Sequence, residues 1–545
     1  MSAILKLTHG VKEVEAKGSL YDLMKSHQSF FPYPLFAARV NNRYTNLIRS
    51  VRDGDVIEFL DIRNQEANMM MQHGLSLMLI EAMKEVLGMH VEIANSLNKG
   101  LFVTVQGQVS DEDVKAVEAK MHEYAEKDYI ISRIWFNRDE ALFVEKGAGR
   151  VSGIELIEGN PELKRLEYYQ FKDLKCAFNG SMVYSTGMVS NFELRRYKNG
   201  MLLRFPHPSN PNVIPEYEDQ KLLYTIFAEE TRFGKMMGVH YVCDLNAMVM
   251  EEEEQELIRC SEAYHEKKIA EIADQIKKDK KRIILIAGPS SSGKTTFAKR
   301  LCIQLKVNGL NPLYMGTDDY FKNRDETPLD ANGEKDYECL GAVDIPLFNK
   351  QLNDLLDGKT VDMPRFDFIK GEKVYGEHLV NIDDSQPIVI EGIHALNHDL
   401  TPYIDDNKKF KIYISPLTQI NIDAYNRIST TDSRMLRRMV RDHQKRGNSA
   451  VDTIRNWPKV RAGEEVNIFP YSVEADAYFN SNHLYEIAVL KKYAKPLLEE
   501  IGEDVPEYAE AQRMLNFLNY FIEIEDDSQI LSNSILREFI GGSHI

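Results

Sequence analysis

The segment that most restricts how this chain can fold is Gly288-Pro289-Ser290-Ser291-Ser292-Gly293-Lys294-Thr295. It satisfies G-x-x-x-x-G-K-[ST], and the residues on either side have opposite periodicities. Ahead of it, Arg282-Ile283-Ile284-Leu285-Ile286-Ala287 is a short apolar run, the pattern of a strand covered on both faces. Behind it, residues 296–307 have helical spacing and stop at Asn308-Gly309. A glycine-rich turn between a buried strand and a helix makes main-chain amides converge at the helix start. Glycine lets an anion approach the backbone with no Cβ in the way. The converging N–H groups and the helix N-terminus then favour phosphate. Lys294 is expected to bridge β- and γ-phosphates of ATP, and Thr295 to hold Mg²⁺. The phosphate-binding set is Gly288, Pro289, Ser290, Ser291, Ser292, Gly293, Lys294, Thr295 and Thr296.

Beyond this loop the sequence alternates. Leu313-Tyr314-Met315, Pro387-Ile388-Val389-Ile390-Glu391 and Phe410-Lys411-Ile412-Tyr413-Ile414 read as further strands. Such alternation predicts a parallel sheet that binds ligands at the carboxyl ends of its strands. Acidic residues stand at two of those ends. In Thr317-Asp318-Asp319-Tyr320-Phe321 a carboxylate can face the γ-phosphate and take the proton of an acceptor hydroxyl. In Glu391-Gly392-Ile393-His394 the glutamate is placed to meet Mg²⁺. The run 437–447 is helical and basic, and Arg438, Arg441 and Arg446 can close over phosphates as a lid. A solvated or RNA-contacting face is the alternative for such a run.

These features together resemble the uridine kinase and phosphoribulokinase family of P-loop kinases, over about residues 280–490. The resemblance implies an ATP-dependent phosphotransferase acting on a small-molecule hydroxyl, most simply that of a nucleoside. It assigns the catalytic base to Asp318, with Asp319 as the adjacent rival. Lys294, Arg438 and Arg441 join it as catalytic residues, Arg446 binds nucleotide, and Thr295 and Glu391 bind Mg²⁺. It also implies an acceptor site at Asp318, Tyr320, Phe321, Glu338 and Phe366. Here the match weakens. The family's N-F-D-H-P is Asp336-Tyr337-Glu338-Cys339-Leu340, and its P-x-Y-D-F-x-x-H-S-R begins Pro364-Arg365-Phe366-Asp367-Phe368. Phe366 and Gly371 replace a tyrosine and a histidine that contact the base, so uridine specificity does not follow. A phosphoribulokinase-like or other sugar or vitamin kinase is the runner-up.

The 545 residues, 43% of them hydrophobic, exceed one ordinary domain. Residues 1–62 alternate and turn like a small β-grasp unit, with a capping box at Ser19-Leu20-Tyr21-Asp22, a turn at Asn41-Asn42 and another at Asp53-Gly54. They resemble the TGS domain at the front of threonyl-tRNA synthetases. Residues 63–245 resemble the α+β editing domain of threonyl- and alanyl-tRNA synthetases. That family's H-x-x-x-H is here His73-Gly74-Leu75-Ser76-Leu77, and the partners expected in a later loop are Phe178 and Met182. One ligand position of four remains, so metal-dependent editing is not expected. Cys176 stands two residues out of register. The charged segment 246–280, opening at Glu251-Glu252-Glu253-Glu254, is expected to be a helical connector. The fold expected overall is an α/β P-loop kinase domain (281–490) behind a β-grasp TGS-like domain and an α+β editing-like domain, with a helical C-terminal extension (491–545).

A net charge of −17 argues against broad coating by nucleic acid, though a local RNA contact through the N-terminal half stays open, as does a homo-oligomer. An RNA-linked regulator switched by nucleotide is the rival of another class. The five cysteines are dispersed without C-x-x-C, which suits reduced thiols. No early apolar segment and no run of 18 or more apolar residues stands out, so a cytoplasmic protein without membrane contact is expected.

Overall fold

The computed structural model describes every residue except 1, 8, 9, 16, 17, 331, 332, 368 and 369. The chain forms two compact units, and neither is continuous in sequence. The first comprises 1–254, 419–429 and 487–525. The second comprises 255–418, 430–486 and 526–545.

The second unit is built on a five-stranded parallel sheet. Its order is Leu313–Gly316, Ile388–Glu391, Ile283–Ala287, Lys409–Ser415, Ala477–Asn480. The strand ahead of the phosphate loop is therefore central, flanked in parallel on both sides. Its continuous apolar run follows from that position. Ile283, Leu285 and Ala287 pack into one core and Ile284 and Ile286 into another on the opposite face. Ile388 and Ile390 against Val389, and Tyr413 against Ile412 and Ile414, divide in the same way. Period-2 alternation between two apolar cores leaves no polar position to show in the sequence.

One of those cores corrects an expectation. The helix read as a connector runs Glu254–Lys278, beginning where Glu251 to Glu253 were expected already to be helical. Instead, Glu252 takes a φ of +60° just after the helix Val242–Met250. Ile269, Ala273 and Ile276 are fully buried beside Phe297, Leu301 and Leu305 of the phosphate-loop helix Lys294–Val307. Glu266 pairs with the buried Arg300 of that helix at 2.6 Å. The segment is thus a structural layer of the second unit. The last residues also belong there, with Ile535 and Phe539 completing the same core.

Among the described residues the first unit holds three sheets. A mixed five-stranded sheet has the order Gly10–Glu15, Ser2–Leu7, Val56–Asp61, Leu35–Val40, Arg43–Thr45, with the second and third parallel. Ser19 and Asp22 cap its helix Leu20–His27 reciprocally, and Asn41 and Asn42 turn with φ of 48° and 60°. A four-stranded antiparallel sheet and a three-stranded one follow, gathered around the long buried helix Gln65–Leu87. The segment 419–429 is tied to this unit at the main chain of Ile93: Ile93 N–H donates to Ala424 O at 2.8 Å, and the Asn421 side-chain amide Nδ2 donates to Ile93 O at 3.1 Å. The helix Tyr508–Leu518 joins it too, where Tyr44 donates to Glu510 at 3.3 Å. The C-terminal stretch expected as one extension is therefore shared between the two units.

Candidate active site

The phosphate loop has the backbone that its composition demands. Gly293 has a φ of +81° and Ser291 of +61°, so successive amides turn toward one point. A Cβ at Gly288 would lie 2.1 Å from Ile414 O, and one at Gly293 would lie 2.4 Å from Ile535 Cγ2. Close packing rather than a turn alone thus requires both glycines. Lys294 Nζ reaches back to Pro289 O at 3.3 Å, over the mouth of the loop.

Four titratable groups expected from the sequence converge at the carboxyl edge of the sheet. Thr295 Oγ1 donates to Glu391 Oε2 at 3.2 Å, and Tyr314 OH donates to the same oxygen at 3.1 Å. Burial pushes Glu391 up to about 7, opposed by Lys294 and reinforced by the negative charge of Asp318. Asp318 opens to the cleft's solvent, yet the protein crowded around its carboxyl still desolvates it and pushes it up, while Lys294 and Arg446 draw it down. Desolvation likewise raises Glu338, against the pull of Arg438 and Lys294. One ammonium, Lys294, thus influences Asp318, Glu338 and Glu391. A Cβ at Gly392 would lie 1.8 Å from Thr317 Oγ1, so glycine lets the Glu391 strand end abut the turn that carries Asp318.

The two adjacent aspartates separate cleanly. Asp319 Oδ1 accepts from Phe366 N–H at 3.2 Å, pinning the hairpin Arg365–Asp367/Glu372–Val374. Tyr320 does not reach the acceptor side as expected. It is fully buried, its hydroxyl donates to Gln351 at 2.8 Å, and its ring packs edge-on against Phe348. Phe321 and Phe366 are also largely covered, meeting each other edge-to-face at 5.9 Å. The exposed member of that cluster is Tyr337, 6.1 Å from Phe321. His394 is buried, which pushes its imidazole down to about 4.

The arginine helix Thr430–Arg446 divides into two roles. Arg438 Nη1 donates to Ser290 Oγ at 2.8 Å, in the phosphate loop. Arg438, Arg441 and Arg446 all lean on the buried carboxylate of Asp442, at 3.4, 2.8 and 3.6 Å. Three guanidinia on one carboxylate leave a net positive cluster. Arg434 and Arg437 instead buttress the loop from within. Arg434 pairs with Glu464 and donates to Ser290 O at 2.9 Å, while Glu464 accepts from Ser290 N–H at 3.0 Å. Arg437 is fully buried against Glu486 and donates to Ser291 O at 3.3 Å. Glu538, from the C-terminal segment, accepts from Thr296 Oγ1 at 2.6 Å and from Thr296 N–H at 3.3 Å. Glu464, Glu486 and Glu538 were not anticipated as parts of the site. The only hint of Arg434 and Arg437 is their mutual spacing of three residues, which puts them on one helix face together.

The residues fit ATP and Mg²⁺: a cradle of amides that side chains would obstruct, a lysine over it, and a threonine hydroxyl against a buried carboxylate. The four positions matched to the editing family's ligands do not form a metal site among the described residues. His73 Nδ1 lies 3.0 Å from Ser181 O and burial pushes the ring down to about 4. Leu77, Phe178 and Met182 are core residues, and burial raises the Cys176 thiol to about 12. Among the described residues no helix is long and apolar enough to cross a membrane.

The phosphoribulokinase/uridine kinase family description matches residues 283–488. A uridine kinase of Lactobacillus johnsonii is 31% identical over 175 residues, which is 32% of this chain and 74% of that protein. A uridine kinase of Ligilactobacillus salivarius is 30% identical over 178 residues, 33% of this chain and 74% of its own. A solved structure titled as a possible uridine kinase from Bacillus stearothermophilus covers 36% of this chain and 88% of its own, at 19% identity and a TM-score of 0.25. With the phosphate loop, the parallel sheet and the converged acids in place, the chain belongs to the phosphoribulokinase/uridine kinase family and is an ATP-dependent kinase.

Proposed function

We propose that this kinase transfers the γ-phosphate of ATP to a hydroxyl of a nucleoside. The acceptor oxygen attacks the γ-phosphorus as its proton passes to Asp318, and the bond to the β-phosphate oxygen breaks to release ADP. The observation that carries the reading is the convergence of Asp318, Glu338 and Glu391 on Lys294. A carboxylate whose proton affinity is raised by desolvation is a better general base than an ordinary aspartate. Glu338, a carboxylate between Arg438 and Lys294, is placed to accept from a second hydroxyl of a ribose. Arg438 and Arg446 would balance phosphate charge in the transition state. Thr295 and Glu391 are the residues that would hold Mg²⁺, which would supply positive charge to the phosphate chain.

The test is ADP release with ATP, Mg²⁺ and a panel of nucleosides. Stimulation by at least one nucleoside, lost in Asp318→Asn, is expected. Failure of every acceptor, or an Asp318→Asn protein of undiminished rate, would discard the reading.

One observation favours a non-nucleoside sugar as acceptor. Phe366 is only 6% exposed and is engaged by Phe321, so it offers no open face to a base. Competition by free pentoses in the same assay separates the two. The likeness of residues 1–245 to synthetase modules supports a further reading, RNA binding gated by nucleotide. Identical, salt-insensitive retention of tRNA with and without ATP would remove it.

A further inference from the structure

A cavity of about 480 Å³ opens within the first unit, walled entirely by that unit's own segments. This volume lies in the range that takes a small organic ligand. One covered polar atom of the cavity lacks a partner. Glu66 is 2% exposed; its Oε1 accepts from Ser181 N–H at 3.1 Å, and its Oε2 has no hydrogen bond among the described residues. Oε2 lies beside Gly180, 3.6 Å from where a Cβ would be. The neighbouring Asn179 is 7% exposed and is held only through its backbone N–H, by Asn426 Oδ1 at 2.8 Å. Its side-chain amide makes no hydrogen bond among the described residues. An unsatisfied buried polar group costs about 1–3 kcal/mol. A ligand donor removes that penalty at Glu66, and a ligand group beside it can engage the free, solvent-accessible amide of Asn179.

The remaining walls narrow the chemistry. Phe178, Tyr425 and Tyr520 give the cavity aromatic rings. Burial pushes the Glu66 carboxyl up, so a ligand donor at its free oxygen relieves a desolvated charge. Two lining cations are exposed and belong to no ion pair among the described residues. They are Lys164 and Arg165, the latter stacked 4.6 Å over the Trp135 ring. Such guanidinium and ammonium groups suit a phosphate. A planar ring with a hydrogen-bonding edge, joined to an anionic group at a polar rim, describes a nucleotide. We infer that this cavity is a second ligand site, which binds a nucleoside monophosphate with its base toward Glu66 and Asn179 and its phosphate at Lys164 and Arg165.

The test is calorimetric titration of the full chain carrying Lys294→Ala, which disables the phosphate loop. The probes are AMP, GMP, CMP and UMP, with the four nucleosides and inorganic phosphate as separate arms. At least one monophosphate is expected to bind at one equivalent, tenfold or more tighter than its nucleoside or phosphate alone. The surface double variant Lys164→Ala/Arg165→Ala is expected to weaken it at least tenfold, and Asn179→Ala likewise. The inference is overturned if no monophosphate binds, if the nucleoside or free phosphate binds as tightly, or if neither variant changes the affinity.

Discussion

Glu391 shows what a single buried carboxyl does to a phosphate site. Its proton is retained up to about pH 7, against the ordinary value of 4.5, because burial disfavours the charge. The folded state therefore binds a proton that the unfolded chain has already lost between those values, and stability falls as pH rises through that window. Glu391→Gln removes the liability. Thermal melts without nucleotide should show the variant more stable than the parent at pH 8, by up to about 2–3 kcal/mol, and no more stable at pH 4. The same ionisation gates metal binding, so Mg²⁺ affinity of the parent should weaken as pH falls below 7. Asp318→Asn should reduce kcat by about 10²–10⁴ with little change in KM for ATP, as measured by initial rates. At this scale the sequence was legible where chemistry forced identity, as at Lys294, Thr295 and Glu391. It misled at Tyr320, because standing two residues from Asp318 in the chain says nothing of which way a ring points out of a 3₁₀ turn.

Helices and strands were the best-read level of organisation. The strand Ile283–Ala287 and the helix behind its loop were evident from periodicity. The arginine helix was evident as a helix but not as a two-sided one. Charge counts cannot distinguish Arg438, which meets a loop hydroxyl, from Arg437, sealed against Glu486. Breaking a sealed pair leaves a buried charge alone, so Glu486→Ala should destabilise the second unit by about 3–5 kcal/mol in urea melts. Glu538 makes a different contact. Its carboxylate occupies an amide in the first turn of the phosphate-loop helix, where an anion is favoured. Phosphate and carboxylate compete for such a donor. Glu538→Gln should therefore lower KM for ATP roughly three- to tenfold, read by varying ATP at saturating acceptor.

The division of the whole chain was the least legible. The expected boundary near residue 280 followed the end of the charged helix and the apolar strand ahead of the phosphate loop. Yet helix 254–278 is core to the second unit, and residues 419–429 and 487–525 belong to the first. These memberships depend on contacts between residues hundreds of positions apart, such as Asn421 with Ile93, which no local pattern encodes. A fragment of residues 281–490 lacks Ile269, Ile276, Ile535 and Phe539 from its core. It should be aggregation-prone or molten, whereas 255–545 keeps that core; near-UV circular dichroism and size-exclusion chromatography compare them.

The final twenty residues, 526–545, return to the second unit after the chain has served the first. The core around the phosphate-loop helix, with Ile535 against Gly293 and Phe539 in the same apolar cluster, therefore closes only when a segment far downstream of the loop has docked. Long-range closure of this kind is slow relative to local helix formation, so the nucleotide cradle should be among the last parts of the second unit to become ordered during refolding.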